Sequence, residues 1–125
     1  MGFIVFLLTL IFNISYKIDV KPNVLKANSI LSLPEYQDIR EDNITKITMI
    51  RYTEAGDTAP VDYTTKEEIN GIYNSFLNTI YLGETKSGCE DNTTTYTIYL
   101  NDGTSKKIVF ECEVLVLNGK RLLTE

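Results

Sequence analysis

Apolar residues recur with helical spacing in one stretch near the middle of the chain, TTKEEINGIYNSFLNTIYLG. Their offsets of 0, 3, 4, 7, 8 and 11 place them on one face of a helix, and they are Ile69, Ile72, Tyr73, Phe76, Leu77 and Ile80. A capping box of Thr64 with Glu67, or of Thr65 with Glu68, predicts where the helix begins. Gly83 is suited to end it. We expect the apolar face to pack into a core.

Alternation of apolar and polar residues predicts strands on both sides of this helix. ITKITMIRYT (Ile44–Thr53) is rich in β-branched residues, which favour strands. Further on, two alternating runs flank Asn101-Asp102-Gly103, a sequence typical of a hairpin turn. A three-residue loop with Gly103 in the left-handed region places the apolar sets of both strands on one side. These sets are Tyr96, Ile98 and Leu100, and Ile108, Phe110 and Cys112.

Shorter segments complete the expected fold. We expect Ser29–Leu33 to form an edge strand, Pro34 to begin a single helical turn, and EAGDTAP, residues 54–60, to be a loop. Near the C-terminus, EVLVLNGKRLL adds a further strand with a tight turn at Asn118-Gly119. The sum is one α+β domain over residues 29–125, in which an amphipathic helix packs on a curled antiparallel sheet in the order β-α-β-β-β.

The opening of the chain contains a run that is apolar all round, FIVFLLTLIF (Phe3–Phe12). Ten residues are too few to span a bilayer as a helix, which takes about 20, but they fit the apolar region of a secretory signal. No Lys or Arg precedes the run, and no A-x-A-like cleavage site follows it. We expect residues 1–16 to be an export signal or short membrane anchor and residues 17–28 to be a tether. The alternative is an intracellular structural protein with residues 3–12 in its core.

Composition removes several classes of function. The formal net charge is −5 and no run of Lys or Arg occurs, so the sequence predicts no nucleic-acid partner. The chain has no His, which excludes Ser-His-Asp and Cys-His catalysis and His-ligated metals. Phosphate-binding glycine loops and nucleophile-elbow motifs are also missing from the sequence. We therefore expect no catalytic residues, no metal and no cofactor.

The two cysteines, Cys89 and Cys112, are separated by 23 positions. In the predicted hairpin Cys112 lies opposite residues 92–94, so a single loop turn brings Cys89 within reach of it. If the chain is exported we expect a disulfide, worth about 3 kcal/mol in the loop-entropy model. In a reducing compartment Cys112 would instead be a buried apolar residue and Cys89 a free thiol.

Acidic residues form two groupings, and paired carboxylates can cleave glycosides or hold calcium. The groupings are Glu35, Asp38, Glu41 and Asp42, and then Glu90 with Asp91. Both lie in turn-like segments, where Asp and Glu are ordinarily solvated. A small carboxylate-dependent hydrolase remains an alternative, as does a protease inhibitor that presents TEAGDTAPVDY as its loop.

The hairpin also predicts an outward surface. If Tyr96, Ile98 and Leu100 face the core, alternate residues of both strands face outward. These outward residues are Thr95, Thr97, Tyr99, Lys107, Val109 and Glu111. The residues on such a face are ordinarily good strand formers that contact only water. The face is also the candidate surface for an unknown protein or glycan partner.

The succession ITKITMIRY, TKEEI, TTYTIYLNDGTSKKIVF and LVLNGK resembles a family of small exported domains of unknown function from low-GC Gram-positive bacteria. The similarity covers roughly residues 30–125. It implies a location on the outer side of the cytoplasmic membrane or in the medium, and it assigns no activity and no functional residues. We therefore expect a non-catalytic binding module at the cell envelope, in contact with the membrane only through its N-terminal segment.

Overall fold

The computed structural model of the protein describes residues 28–87, 89 and 92–125. The expected export signal (residues 1–16) and nearly all of the expected tether lie outside these residues, as do Glu90 and Asp91. The described strands are β1 (Ile44–Thr53), β2 (Gly56–Asp57), β3 (Val61–Tyr63), β4 (Tyr81–Glu84), β5 (Asn92–Leu100), β6 (Ser105–Glu111), β7 (Val114–Leu117) and β8 (Lys120–Thr124). The α-helix, α1, is Lys66–Asn78, and single 3₁₀ turns cover Ile30–Ser32, Pro34–Tyr36 and Glu41–Asn43.

The strands form one curled antiparallel sheet in the order β2-β1-β5-β6-β7-β8-β4, with β3 also paired to β1. The α+β class and the helix on a curled sheet are therefore confirmed. The expected order β-α-β-β-β is wrong, because three strands precede α1 and five follow it in the described chain. We call the sheet face that carries α1 the concave face and the opposite one the convex face.

The core lies between the concave face and α1. Four strands contribute fully buried residues, Ile47, Ile98, Ile108 and Leu115. The helix contributes Ile69, Phe76 and Leu77, and the segment before β1 contributes Ile30, Leu31, Tyr36 and Ile39. Burying an aliphatic or aromatic side chain of this size contributes about 1.5–3 kcal/mol, so this set holds sheet, helix and N-terminal turns together.

Helix α1 begins as predicted. Thr65 is the N-cap, its hydroxyl accepts the Glu68 N–H at 3.2 Å, and the Glu68 carboxylate accepts the Thr65 N–H at 3.3 Å. The Thr65 hydroxyl also donates to the Glu68 carboxylate at 2.8 Å, and this bond, together with the one from the Thr65 N–H, lowers the pKa of Glu68. The predicted end at Gly83 is wrong, because α1 ends at Asn78. Beyond the helix, Ile80 exchanges two main-chain hydrogen bonds with Glu125. Ile80, the last apolar residue of the predicted helical face, is therefore paired in the manner of a strand.

The predicted edge strand at Ser29–Leu33 is also wrong. Only Ser29 forms a β-bridge, to Ile80, and a 3₁₀ turn follows. The Ser29 hydroxyl accepts the Leu31 N–H and donates to the Phe76 carbonyl, each at 3.3 Å. Ile30 and Leu31 are both buried, and a helical turn can bury consecutive side chains whereas a strand alternates them. The turn that begins at Pro34 is confirmed.

Residues 54–60 are not a free loop. After a turn at Glu54 and Ala55, Gly56 and Asp57 pair back with the end of β1 as β2. The Thr58 N–H donates to the Arg51 carbonyl at 2.8 Å, and β3 then pairs with the middle of β1. The segment proposed as an inhibitor loop therefore lies along an edge of the sheet.

The hairpin between β5 and β6 is confirmed in detail. The Leu100 N–H donates to the Thr104 carbonyl at 2.9 Å across a three-residue loop, and Gly103 has a φ of +88°. The predicted turn at Asn118-Gly119 is present, with φ values of +52° and +77°. It separates two strands, β7 and β8, where one further strand was predicted.

Candidate functional site

The six residues predicted to face outward from the hairpin share the convex face. Thr95 lies opposite Val109, and Thr97 lies opposite Lys107. Tyr99 and Glu111 lie on the same side by alternation along their strands, because the register of the hairpin has no irregularity. The structure therefore brings all six together on the side of the sheet away from α1.

Strand β1 enlarges this surface on one side. It pairs with β5 so that Lys46, Thr48, Ile50 and Tyr52 face outward. The Lys46 ammonium lies 4.6 Å from the centre of the Tyr99 ring, a cation–π distance. Tyr99 is 37% exposed and Tyr52 is 47% exposed, so two aromatic rings of the convex face are open to a partner.

An ion pair lies at the other end of the same face. The Arg121 Nε lies 3.1 Å from Glu111 Oε2, and a second nitrogen lies 3.5 Å from Oε1. Glu111 is on β6 and Arg121 is on β8, so the pair crosses over β7. Val114 of β7 faces this side opposite Glu111, yet it is only 4% exposed. The carboxylate of Glu111 is therefore already paired with Arg121 of the same chain.

The convex face thus has two unlike halves. We call the half next to the hairpin loop the hairpin half, formed by Lys46, Thr97, Tyr99 and Lys107. We call the other the disulfide half, formed by Glu111, Val114, Arg121 and Leu123. Of the predicted partner residues, Thr97, Tyr99 and Lys107 are in the hairpin half, Thr95 and Val109 form the row between the halves, and Glu111 is in the disulfide half.

The predicted disulfide between Cys89 and Cys112 is present, with Cα atoms 6.0 Å apart. Cys112 sits in the turn between β6 and β7 with a φ of +56°, and its N–H donates to the Asn92 carbonyl at 3.0 Å. The connection from β4 to β5 bypasses β8, β7 and β6 in the sheet. The bond therefore fixes this long crossing segment to the end of the sheet.

The described acidic residues do not converge. Asp38 pairs with Lys106 at 3.2 Å, Asp42 pairs with Arg40 at 3.4 Å, and Glu35 accepts a hydrogen bond from Asn118 at 3.4 Å. In the part of the chain that the structure describes, no group of three or more Asp, Glu or Cys side chains is placed to hold a metal ion. Each of these three carboxylates thus has a local partner on the surface.

A shallow groove of about 330 Å³ lies where the turn before β1 meets the start of α1. Glu41 and Asp42 form one wall, and Lys66 and Asn70 form the other. Further along α1, burial raises the pKa of Tyr73, and the charges of Glu41 and Asp42 raise it further. The groove is also lined by Ile44 and Ile69, so charged and apolar side chains share it.

Sequence reasoning missed the residues that β1 and β8 add to the convex face: Lys46, Tyr52, Arg121 and Leu123. The signal for β1 was present, because ITKITMIRYT alternates and one of its two sets must face outward. What the sequence did not show was that β1 pairs with β5, which places Lys46 beside Tyr99.

Comparison with known protein families, with characterised proteins and with solved structures finds no match in any of the three. Among the described residues no helix is long and apolar enough to cross a membrane.

Proposed function

We propose that this protein is a non-catalytic binding module of the cell envelope, secreted or tethered to the outer side of the cytoplasmic membrane. The observation that carries the proposal is the hairpin half of the convex face. It presents an exposed tyrosine, a threonine and two lysines on a rigid sheet, where Lys46 steadies the Tyr99 ring at 4.6 Å. Rigid aromatic side chains with a polar end contribute much contact area at a low entropy cost.

Export is supported by two independent features. The disulfide is compatible with an oxidising, extracellular location. The apolar run of residues 3–12 has the length of the apolar region of a secretory signal. The resemblance to small exported domains of low-GC Gram-positive bacteria agrees with both.

The position of residue 28 agrees with a tethered arrangement. The Asn28 carbonyl accepts the Tyr81 N–H, and Tyr81 lies opposite Thr124, next to the disulfide end of the sheet. The hairpin loop at residues 101–103 lies at the other end of β5, a nine-residue strand about 30 Å long. Residue 28 is therefore at the end of the sheet opposite the hairpin loop.

The test is retention of envelope components by the immobilised protein. Tyr99→Glu places a negative charge in the hairpin half and is expected to abolish retention of any component bound by the wild type. The matched control is Leu82→Glu on edge strand β4, which changes the most exposed large apolar residue among those the structure describes, 54% exposed. It is expected to leave retention unchanged. Equal retention by wild type and Tyr99→Glu would contradict the proposal.

A further inference from the structure

Two Asn-Gly pairs occur in the chain, and the fold places them in different surroundings. Asn70-Gly71 lies inside α1, and Asn118-Gly119 forms the turn between β7 and β8. Asparagine is a thermally labile residue, and it is most labile before glycine, where no side chain shields the next main-chain nitrogen. That nitrogen can attack the side-chain amide carbon. Two identical dipeptides in one chain therefore isolate the effect of structure on this reaction.

The turn leaves Asn118 and Gly119 outside the strand ladder. Strands β7 and β8 pair as far as Leu117 and Lys120, so the two residues between them form a two-residue loop. Both have a positive φ, +52° for Asn118 and +77° for Gly119, as such a loop requires. Both are also exposed. The main-chain nitrogen of Gly119 is therefore not committed to strand pairing, and water has access to the reaction.

The side chain of Asn118 is held weakly. Its amide nitrogen donates to Glu35 Oε1 at 3.4 Å, and both groups are exposed. This distance is beyond the usual range for a protein hydrogen bond. Local fluctuations of exposed turns cost little free energy, so the side chain is free to rotate toward the Gly119 nitrogen.

The helix protects the other pair. Gly71 is inside α1 (Lys66–Asn78), where each main-chain N–H donates to the carbonyl four residues earlier. The neighbouring Ile69 is buried in the core, as are Phe76 and Leu77. Attack by the Gly71 nitrogen requires α1 to open, and opening a packed and capped helix costs far more free energy than moving an exposed turn.

Asp102-Gly103 in the hairpin loop is a third candidate, because an aspartic acid side chain forms the same cyclic imide by losing water. The Asp102 carboxylate accepts the Thr104 hydroxyl at 2.6 Å and the Thr104 N–H at 2.9 Å. These bonds lower the pKa of Asp102, so the carboxyl group is ionised at neutral pH and lacks the hydroxyl that would leave. Asn118 is therefore the most reactive position of the three.

We propose that Asn118 is a site of spontaneous deamidation. The Gly119 nitrogen forms a bond to the Asn118 side-chain carbon and loses its proton, and the amide nitrogen leaves as ammonia. A cyclic imide results. Water then opens the imide at either carbonyl, which gives aspartate or isoaspartate at position 118. The reaction consumes a water molecule and releases ammonia, with no change in oxidation state.

The product changes a contact between two turns. A carboxylate at position 118 faces Glu35 where the amide had donated to it, in a groove also lined by Glu84 and Lys120. Like charges in contact are destabilising, so the β7–β8 turn loses its contact with the turn at Pro34–Tyr36. Isoaspartate also adds a methylene to the main chain of a two-residue loop, whose length sets the register of the strands.

The experiment ages the full chain, disulfide intact, in mildly alkaline buffer at physiological temperature, both folded and in concentrated urea. Peptide mapping by mass spectrometry with electron-transfer fragmentation measures aspartate and isoaspartate at each position. In the folded chain Asn118 is expected to react within about tenfold of its rate in urea. Asn70 is the internal control, and folding is expected to slow its reaction at least about a hundredfold.

Two outcomes would overturn the proposed site. One is that folding slows Asn118 and Asn70 by the same factor, which would show that the turn gives no special access. The other is an Asn118 that stays intact in the folded chain while it reacts in urea.

The structural consequence is tested by hydrogen exchange in Asn118→Asp. The amide protons of Tyr36 and Gln37 close the turn beside Glu35, and they are expected to exchange up to about fivefold faster than in the wild type. The same substitution in a Glu35→Gln background is expected to leave them unchanged. No rise with Glu35 present, or an equal rise in both backgrounds, would contradict the role of Glu35.

Discussion

Ile98 and Tyr99 are neighbours in β5, yet Ile98 is fully buried while Tyr99 is 37% exposed. The same alternation runs through β1, where Ile47 is buried and Lys46 lies over the Tyr99 ring. The concave face therefore carries the packing that holds the domain together. Among the described residues the convex face carries no helix, and an ion pair between Glu111 and Arg121 spans its disulfide half. The comparison teaches that stability and binding can be assigned to alternate residues of the same strands.

The largest contrast is expected between neighbouring substitutions in β5. Ile98→Ala opens a cavity beside Ile47 and Ile108, and such changes typically cost about 2–5 kcal/mol. Thr97→Ala removes a side chain of the hairpin half and is expected to cost under about 1 kcal/mol. Urea unfolding monitored by circular dichroism measures both. Equal losses would show that the convex face is as tightly packed as the concave one.

The second-largest loss of stability is expected from removing the disulfide. Replacing both Cys89 and Cys112 by Ser releases a loop of 23 residues, which the entropy model puts at about 3 kcal/mol. Hydrogen exchange is expected to rise near Val114 and Asn92 and to change little at the hairpin loop. Reductant should destabilise the wild type and leave the double variant unaffected. A wild type that melts at the same temperature with and without reductant would contradict this assignment.

The smallest effect on stability is expected from breaking the ion pair between Glu111 and Arg121 in the disulfide half. A double-mutant cycle with Glu111→Gln and Arg121→Gln should give a coupling below about 1 kcal/mol, because the pair is partly exposed. The coupling should weaken as salt is added. The Glu84–Lys120 pair, with both side chains about two-thirds exposed, serves as the control and should couple less. A coupling that does not respond to salt would mean that the pair is more deeply shielded than its exposure indicates.

Local signals predicted much of this fold. The capping box at Thr65, the hairpin loop ending at Gly103 and β1 depend on residues close in sequence, and the structure has all three. Partners distant in sequence decided the rest. Ile80 continues the helical spacing of apolar residues, but main-chain hydrogen bonds with Glu125 and a β-bridge with Ser29 hold it in an extended conformation.

The candidate site divides in the same way. Alternation within the hairpin predicted which residues share the convex face. The ion pair between Glu111 and Arg121 in the disulfide half could not be predicted, because Arg121 reaches Glu111 only after β7 and β8 fold back beside β6.

The most direct test of the binding assignment is photo-cross-linking in the native host. A photoreactive phenylalanine analogue would replace Tyr99 in one variant and Leu123 in another, two exposed residues in opposite halves of the convex face. We predict a defined adduct with an envelope component from position 99 and none from position 123. Adducts of equal yield from both positions, or none from position 99, would contradict the assignment of binding to the hairpin half.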